Sequence, residues 1–188
     1  MTDPTKIKCS VYIAASVDGF IARADGDIEW LHQPEYASPA DGSFGYDEFL
    51  ASVDSLVMGR KSFEKVLSFP SWPYETTPVV VLSSRAVNIP HHLAGKVRLE
   101  NSKPGEVVLR LASEGKTHLY IDGGVTIQRF LQSRLINEMT ITRIPVLLGE
   151  GVPLFASDGL ELSLVHLETK SFRNGFVQSR YRVAYVGT

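Results

Sequence analysis

Three stretches of the sequence place chemistry-bearing residues where a short apolar run stops at a turn. At the first, Leu56-Val57-Met58 gives way to Gly59-Arg60-Lys61-Ser62, a buried strand ending at a helix that begins with two cations. Cations in a first helical turn oppose the helix dipole, which favours anions there. An anionic ligand removes the conflict, because free backbone N–H groups and a guanidinium then both face phosphate. The plainer alternative is a glycine turn followed by solvated basic residues. At the second, Val79-Val80-Val81-Leu82 runs into Ser83-Ser84-Arg85, two hydroxyl donors and a fixed cation, which alone is ordinary turn chemistry. At the third, Leu119-Tyr120-Ile121-Asp122 delivers Gly123-Gly124 into the start of a helix. Glycines there permit positive φ and a close backbone approach to a planar or phosphorylated ligand, although a tight strand-to-helix turn favours them too. Ligands of open α/β sheets bind beyond the carboxyl ends of strands, so three such junctions on one rim point to a nucleotide site.

Other ways of holding a nucleotide are excluded. No glycine is followed by Lys and Ser/Thr at Walker A spacing, and Gly149-Glu150-Gly151 leads into Pro153, which interrupts the helix a Rossmann fingerprint requires. The five histidines, at 32, 91, 92, 118 and 166, fit no zinc spacing, so no metal site is expected; His91-His92 beside Pro90 reads as a solvated loop.

The elements that must position these junctions follow from periodicity. Val11-Tyr12-Ile13-Ala14-Ala15, Ser55-Leu56-Val57-Met58, Val79-Val80-Val81-Leu82 and His118-Leu119-Tyr120-Ile121 are continuous, mostly apolar runs that suit strands covered on both faces. Between them lie helical stripes: Tyr46, Phe49, Leu50 and Val53; Val107, Val108, Leu111 and Ala112, closed by Gly115; Ile127, Phe130, Leu131 and Leu135. That order predicts an α/β domain. Residues 139–144, 160–169 and 176–186 alternate with no helix between them, which predicts antiparallel strands at one edge, with a hairpin turn at Asn174-Gly175.

A chain of 188 residues suits one domain over 1–188, and 44% hydrophobic with 21% charged residues suits a folded core. The formal net charge of -2 lacks the basic footprint of nucleic-acid binding, so no nucleic acid is expected as partner. No run approaches the roughly 18 apolar residues of a membrane span, and residues 1–6 lack an apolar signal core. The single cysteine, Cys9, excludes an internal disulfide and reads as a small core hydrophobe. A soluble, cytoplasmic protein is the expectation.

With the intervening residues, the segments Val57 through Glu64, Val81-Leu82-Ser83-Ser84 and Ile121-Asp122-Gly123-Gly124-Val125 resemble, in order, the three NADPH-contacting segments of dihydrofolate reductases. Tyr12-Ile13-Ala14-Ala15-Ser16-Val17-Asp18-Gly19 resembles that family's first strand and loop, and residues 141–155 are more like the reductase domain of riboflavin biosynthesis and its stand-alone relatives. The resemblance covers nearly the whole chain. It implies a three-layer α/β/α fold with a mostly parallel central sheet and antiparallel C-terminal edge strands. It assigns Gly59, Arg60, Lys61 and Ser62 to the cofactor phosphates, and Leu82, Ser83, Ser84 and Arg85 to the surroundings of the adenosine 2′-phosphate. Gly123, Gly124 and the helix from Val125 would carry the pyrophosphate, with Thr126 and Ile127 nearby. Ala14 and Ala15 would border the nicotinamide and Ile21 would cover it.

On the substrate side the sequence departs from dihydrofolate reductases. Their helix before the Met-Gly-Arg segment carries one acid that anchors the pterin ring; here it offers Asp47, Glu48 and Asp54. At about 100° per residue Glu48 points nearly opposite the apolar face while Asp47 and Asp54 flank it. Asp47 is therefore the candidate catalytic acid, although its spacing to Gly59 is shorter than the family pattern and a solvated helix border is the plainer reading. Phe49 and Leu50 on the same helix, with Trp30 in an Asp27-Ile28-Glu29-Trp30-Leu31 lid, are the candidate substrate contacts, and residues 33–45 read as a long loop over the site. The expected activity is NADPH-dependent hydride transfer to a small heterocycle, pterin or pyrimidine. Two alternatives stay open: reduction of 5-amino-6-(5-phosphoribosylamino)uracil, for which no second basic cluster is visible, and a nucleotide-binding module without catalysis. A homodimer is expected, because long C-terminal strands otherwise leave an exposed edge.

Overall fold

Alternating apolar runs and helical stripes assemble into an eight-stranded sheet in the order β5-β4-β3-β6-β1-β7-β10-β9. The computed structural model describes residues 7–37, 42–155 and 159–185. Six neighbouring strands run parallel: β5 (Val97–Glu100), β4 (Val79–Leu82), β3 (Ser55–Gly59), β6 (His118–Asp122), β1 (Lys8–Ser16) and β7 (Glu138–Ile144). Strands β10 (Val177–Ala184) and β9 (Ser163–Ser171) complete the sheet antiparallel, through a turn at Gly175, whose φ is 86°. A separate ribbon pairs β2 (Phe20–Ala22) with β8 (Val152–Pro153).

The central strands are covered on both faces, as their unbroken apolar character requires: Leu56, Val57 and Met58 are fully buried. On one face α3 (Pro104–Ser113) and α4 (Gly124–Gln132) pack Val107, Leu111, Ile127 and Phe130 against Val57, Leu119 and Ile121. On the other, α1 (Tyr46–Ala51) and α2 (Arg60–Leu67) pack with Phe63 and Val66 against Leu56, Met58, Val81 and Tyr120. The result is the expected three-layer α/β/α architecture. Cys9 lies in the first core, and burial pushes its thiol up to about 12, so it is a packing residue. Among the described residues no helix is long and apolar enough to cross a membrane.

Two expectations need correction. The alternation of residues 139–144 places them among antiparallel edge strands; β7 does pair antiparallel with β10, but it lies parallel to β1, in register from Ser10↔Glu138 to Ser16↔Ile144. Helix α4 is the crossover that carries the chain from β6 over β1 to β7, so the helix needed for a parallel strand is present upstream. The stripe ending at Leu135 overruns its helix, which stops at Gln132. Strand β5 and the β2–β8 ribbon carried too few residues to show a period.

Candidate functional site

All six parallel strands end on the same rim, and there the sheet opens into a cavity of about 1050 Å³. Its wall is built by the three junctions. Helix α2 starts at Gly59 and α4 at Gly123; neither has an acidic residue in its first turn or a side-chain cap. Helix α3, by contrast, carries Glu106 in its first turn, accepting from the Lys103 N–H at 2.9 Å. The first N–H groups of α2 and α4 are thus left to whatever fills the cavity, and the absence of acids keeps both helix ends positive.

Glycine is what lets the two helix starts meet. Gly123 has φ 88° and ψ 137°, and a Cβ there would lie 2.3 Å from Ser62 Oγ. A Cβ on Gly59 would come within 3.0 Å of Thr126 Oγ1, and one on Gly124 within 3.1 Å of Ile21 Cδ1 and of the Pro153 carbonyl. The β2–β8 ribbon therefore rests on the start of α4, held there by Leu154 N–H donating to the Gly19 carbonyl at 2.9 Å and Gln128 Nε2 donating to the Pro153 carbonyl at 3.0 Å. Asp18 ties the same loop down, accepting from Ser16 Oγ at 2.6 Å and from Gly149 N–H at 2.7 Å; the Ser16 hydroxyl above all holds its carboxyl below the usual range.

The cavity is lined by Ala14, Ile21, Gly59, Arg60, Lys61, Ser62, Leu82, Ser83, Ser84, Arg85, Gly123, Gly124, Val125 and Thr126. Ser83 Oγ shapes its own turn, donating to the Arg85 carbonyl at 2.9 Å and accepting from Arg85 N–H at 3.0 Å, and so presents exposed Ser84 and Arg85. Ala15 and Ile127 are exceptions. Ala15 alternates with Ala14 and so faces the opposite layer, fully buried; Ile127 lies on the sheet-facing side of α4, also fully buried.

The expected substrate contacts are displaced. Trp30 is buried in a satellite cluster with Ile144 and Phe176, and its neighbours Ile28 and Leu31 line the cavity instead. Phe49 stacks on Tyr12 at 4.9 Å between ring centroids and, with Leu50, packs into the core beside α1; neither lines the cavity. Asp47 is exposed and is absent from the cavity wall, so the structure does not bring the candidate acid into the cavity. Asp54 accepts from Thr117 N–H at 2.7 Å and His118 N–H at 2.8 Å, stapling the opposite, amino ends of β3 and β6. Of the loop expected at 33–45, residues 38–41 lie outside the described residues; Ser43 and Phe44 line the cavity.

Apart from Ala14, sequence reasoning missed the residues of the deep end. Tyr12, Thr142 and Ile144 share one face with Ala14 across β1 and β7 and form its floor. Tyr12 Oη donates to the Phe44 carbonyl at 2.6 Å and accepts from Gln178 Nε2 at 2.7 Å, while Gln178 also donates to Thr142 Oγ1 at 3.0 Å. At the carboxyl end of β6 stands Asp122, beside Tyr120, Tyr46 and Tyr74. Burial pushes its carboxyl up to about 6, against the pull of the Gly123 N–H. An acid closing a buried strand, directly before two glycines, was the signal available for it. The cations of the wall, Arg60, Lys61, Lys65, Arg85 and Arg129, all belong to α2, α4 or the loop after β4; none lines the deep end.

Known proteins resemble this chain in sequence and fold. The chain is 34% identical over 168 residues to "Uncharacterized protein YwjB" of Bacillus subtilis (strain 168), covering 88% of this chain and 92% of that one. It superposes on the crystal structure of a "putative riboflavin biosynthesis protein" from Shewanella sp. PV-4 with a TM-score of 0.88 at 40% identity, covering 95% of this chain and 100% of that one. The Enterococcus faecalis dihydrofolate reductase complexed with NADP(H) shares the fold, with a TM-score of 0.65 at 16% identity over 95% of this chain and 97% of that one. A family model for the RibD C-terminal domain matches residues 8–177, and the chain belongs to that family.

Proposed function

We propose that the protein is an NADPH-dependent reductase that passes hydride to a small planar heterocycle of pterin or pyrimidine type. The observation that carries the reading is one cavity joining two uncapped helix starts and five cations to an aromatic deep end that holds no cation among the described residues. The residues fit a dinucleotide: N–H groups of α2 and α4 with Arg60 and Lys61 for the phosphates, and Ser84 with Arg85 for a 2′-phosphate. Bound dihydronicotinamide would supply hydride. The chain's part is to orient it over Ala14, exclude water with Ile21 and Val152, and hold the acceptor against Tyr12, Phe44 and Thr142.

Fluorescence titration is expected to give a dissociation constant for NADPH at least about tenfold below that for NADH, the scale of one charge-assisted hydrogen bond to the extra phosphate. Equal constants would remove the 2′-phosphate site. The Shewanella relative and the family support a second reading within riboflavin biosynthesis, reduction of 5-amino-6-(5-phosphoribosylamino)uracil, but among the described residues no cation lines the deep end to receive a ribose phosphate. Turnover with that compound in preference to 7,8-dihydropterin decides for it. We also propose that two copies associate across β9, an edge strand exposed along its whole length with Leu164, Val165 and Leu167 about 40% accessible. Sedimentation equilibrium should return twice the chain mass, and a monomer at micromolar concentration would disprove the pairing.

A further inference from the structure

We propose that Thr142 selects the acceptor by donating its hydroxyl hydrogen to a ring carbonyl of the heterocycle, and that Gln178 is the positioning residue that keeps this hydrogen turned into the cavity. The proposal rests on the reductase reading and narrows its substrate class to planar heterocycles that carry a ring carbonyl. Its foundation is the hydrogen-bond arithmetic of the deep end. Thr142 and Gln178 are direct cross-strand partners on β7 and β10, and both are buried. Gln178 Nε2 has two hydrogens and three acceptors in reach: Tyr12 Oη at 2.7 Å, Thr142 Oγ1 at 3.0 Å and the Phe44 carbonyl at 3.2 Å. A backbone carbonyl only accepts, so it is the amide nitrogen, not the amide oxygen, that faces this group. The Phe44 carbonyl already takes the Tyr12 hydroxyl hydrogen at 2.6 Å. The two amide hydrogens therefore go to the shorter contacts, one to Tyr12 and one to Thr142.

One hydroxyl hydrogen is left over. Tyr12 has committed its own to Phe44, and burial above all holds its phenol above the ordinary range, so it stays a neutral hydroxyl with no hydrogen for a ligand. Thr142 accepts from Gln178, and among the described residues nothing accepts from Thr142. Its partner on β1 is Ala14, which has no polar side chain, and Phe44, Ile144 and Phe176, which line the same cavity, are apolar. A buried donor without an acceptor is costly, so the missing acceptor belongs to whatever fills the cavity that Thr142 lines. A ring carbonyl accepts that hydrogen, whereas an exocyclic amine in its place brings hydrogens of its own and leaves the Thr142 hydrogen unpaired. Ala14 underlies the nicotinamide in the reductase reading, so a ring held at Thr142 lies beside the hydride donor.

Gln178 acts from outside. It is absent from the wall of this cavity and lines a smaller one, of about 520 Å³, which shares Tyr12 and Phe44 with it. Its amide fixes which lone pair of Thr142 is used and hence where the hydrogen points. Without that amide the hydroxyl rotates freely and no longer presents one fixed donor to the ligand.

Titration calorimetry on the NADP+-loaded protein reads the preference without turnover, using 7,8-dihydropterin and its 4-amino counterpart, in which an amine replaces the ring carbonyl. The wild type should bind the carbonyl compound at least about tenfold more tightly, the scale of one buried hydrogen bond left unmade, and Thr142→Val should erase the preference. Gln178→Leu should shrink it, and adding Gln178→Leu to Thr142→Val should change nothing further, because both act on one hydrogen. With 7,8-dihydropterin or 5-amino-6-(5-phosphoribosylamino)uracil as acceptor, Thr142→Val should raise KM about tenfold while kcat and NADPH affinity move by less than about threefold. A preference equal in wild type and Thr142→Val, or an unchanged KM, overturns the proposal alone. Additive losses in the double variant overturn the positioning role of Gln178, and Thr142→Val by itself still decides the donor should Gln178→Leu fail to fold. A wild type that binds neither pteridine and reduces neither acceptor overturns the reductase reading and this proposal with it.

Discussion

Gly123→Ala is expected to cost the folded protein about 2 to 6 kcal/mol and to weaken NADPH binding severely. Two effects combine at this position. Its backbone, at φ 88° and ψ 137°, lies where an L side chain is strained by about 1 to 3 kcal/mol. The added Cβ would also lie 2.3 Å from Ser62 Oγ and 3.4 Å from Ser62 Cβ, an overlap relieved only by turning the Ser62 hydroxyl away or parting the starts of α2 and α4, and forced repacking costs about 1 to 3 kcal/mol. Parting those starts removes the shared anion site even where the domain survives. Gly19→Ala is the control, because its φ is 89° with open space around it; it should show strain alone and leave affinity nearly intact. Ser62→Gly in the Gly123→Ala background removes the clashing hydroxyl, so denaturant melts should recover the steric part and leave the strain. Equal stability losses at Gly19 and Gly123 would refute the steric argument.

The contrast between these positions explains which parts of the molecule were legible in the sequence. The cofactor half of the cavity comes from three junctions, each of which contains both the strand end and the turn that follows it, so a few consecutive residues reveal the whole local structure. The deep end has no such local record. Tyr12, Thr142, Ile144 and Phe176 meet because β7 lies beside β1 and β10 beside β7, pairings that become definite only once the α4 crossover is placed. Period-two alternation separates Ala14 from Ala15, yet it cannot say which of the two faces the ligand until the layers are known. Helix α1 shows the other limit: it spans only Tyr46–Ala51, fewer than two turns, and a face estimated from so short a helix put Asp47 near the substrate. Tyr46, at its first position, is the residue that reaches the cavity.

Arg60→Ala should weaken NADPH binding by roughly 1 to 3 kcal/mol, or about 5- to 150-fold, while the apo protein melts within about 2 °C of wild type. From sequence alone, removing a cation from a helix start relieves about 0.3 to 1 kcal/mol of dipole repulsion, which predicts a more stable apo protein. The structure changes that expectation. Arg60 Nη1 lies 2.7 Å from Glu64 Oε1 one turn along α2, with side chains 30% and 49% exposed. An exposed pair at this spacing contributes about 0.3 to 0.5 kcal/mol, so its loss offsets most of the relief. The same pair makes Glu64 a competitor for the guanidinium, and Glu64 lines the cavity too. Glu64→Ala should therefore act in the opposite direction, freeing Arg60 and removing an anion beside the phosphates, with affinity rising a few-fold at low salt and less at high salt. Opposite signs at two residues joined by one ion pair distinguish a phosphate-binding arginine from a helix-stabilising one. If both substitutions lower affinity equally, or Arg60→Ala lowers the apo melting temperature by several degrees, the pair serves α2 itself.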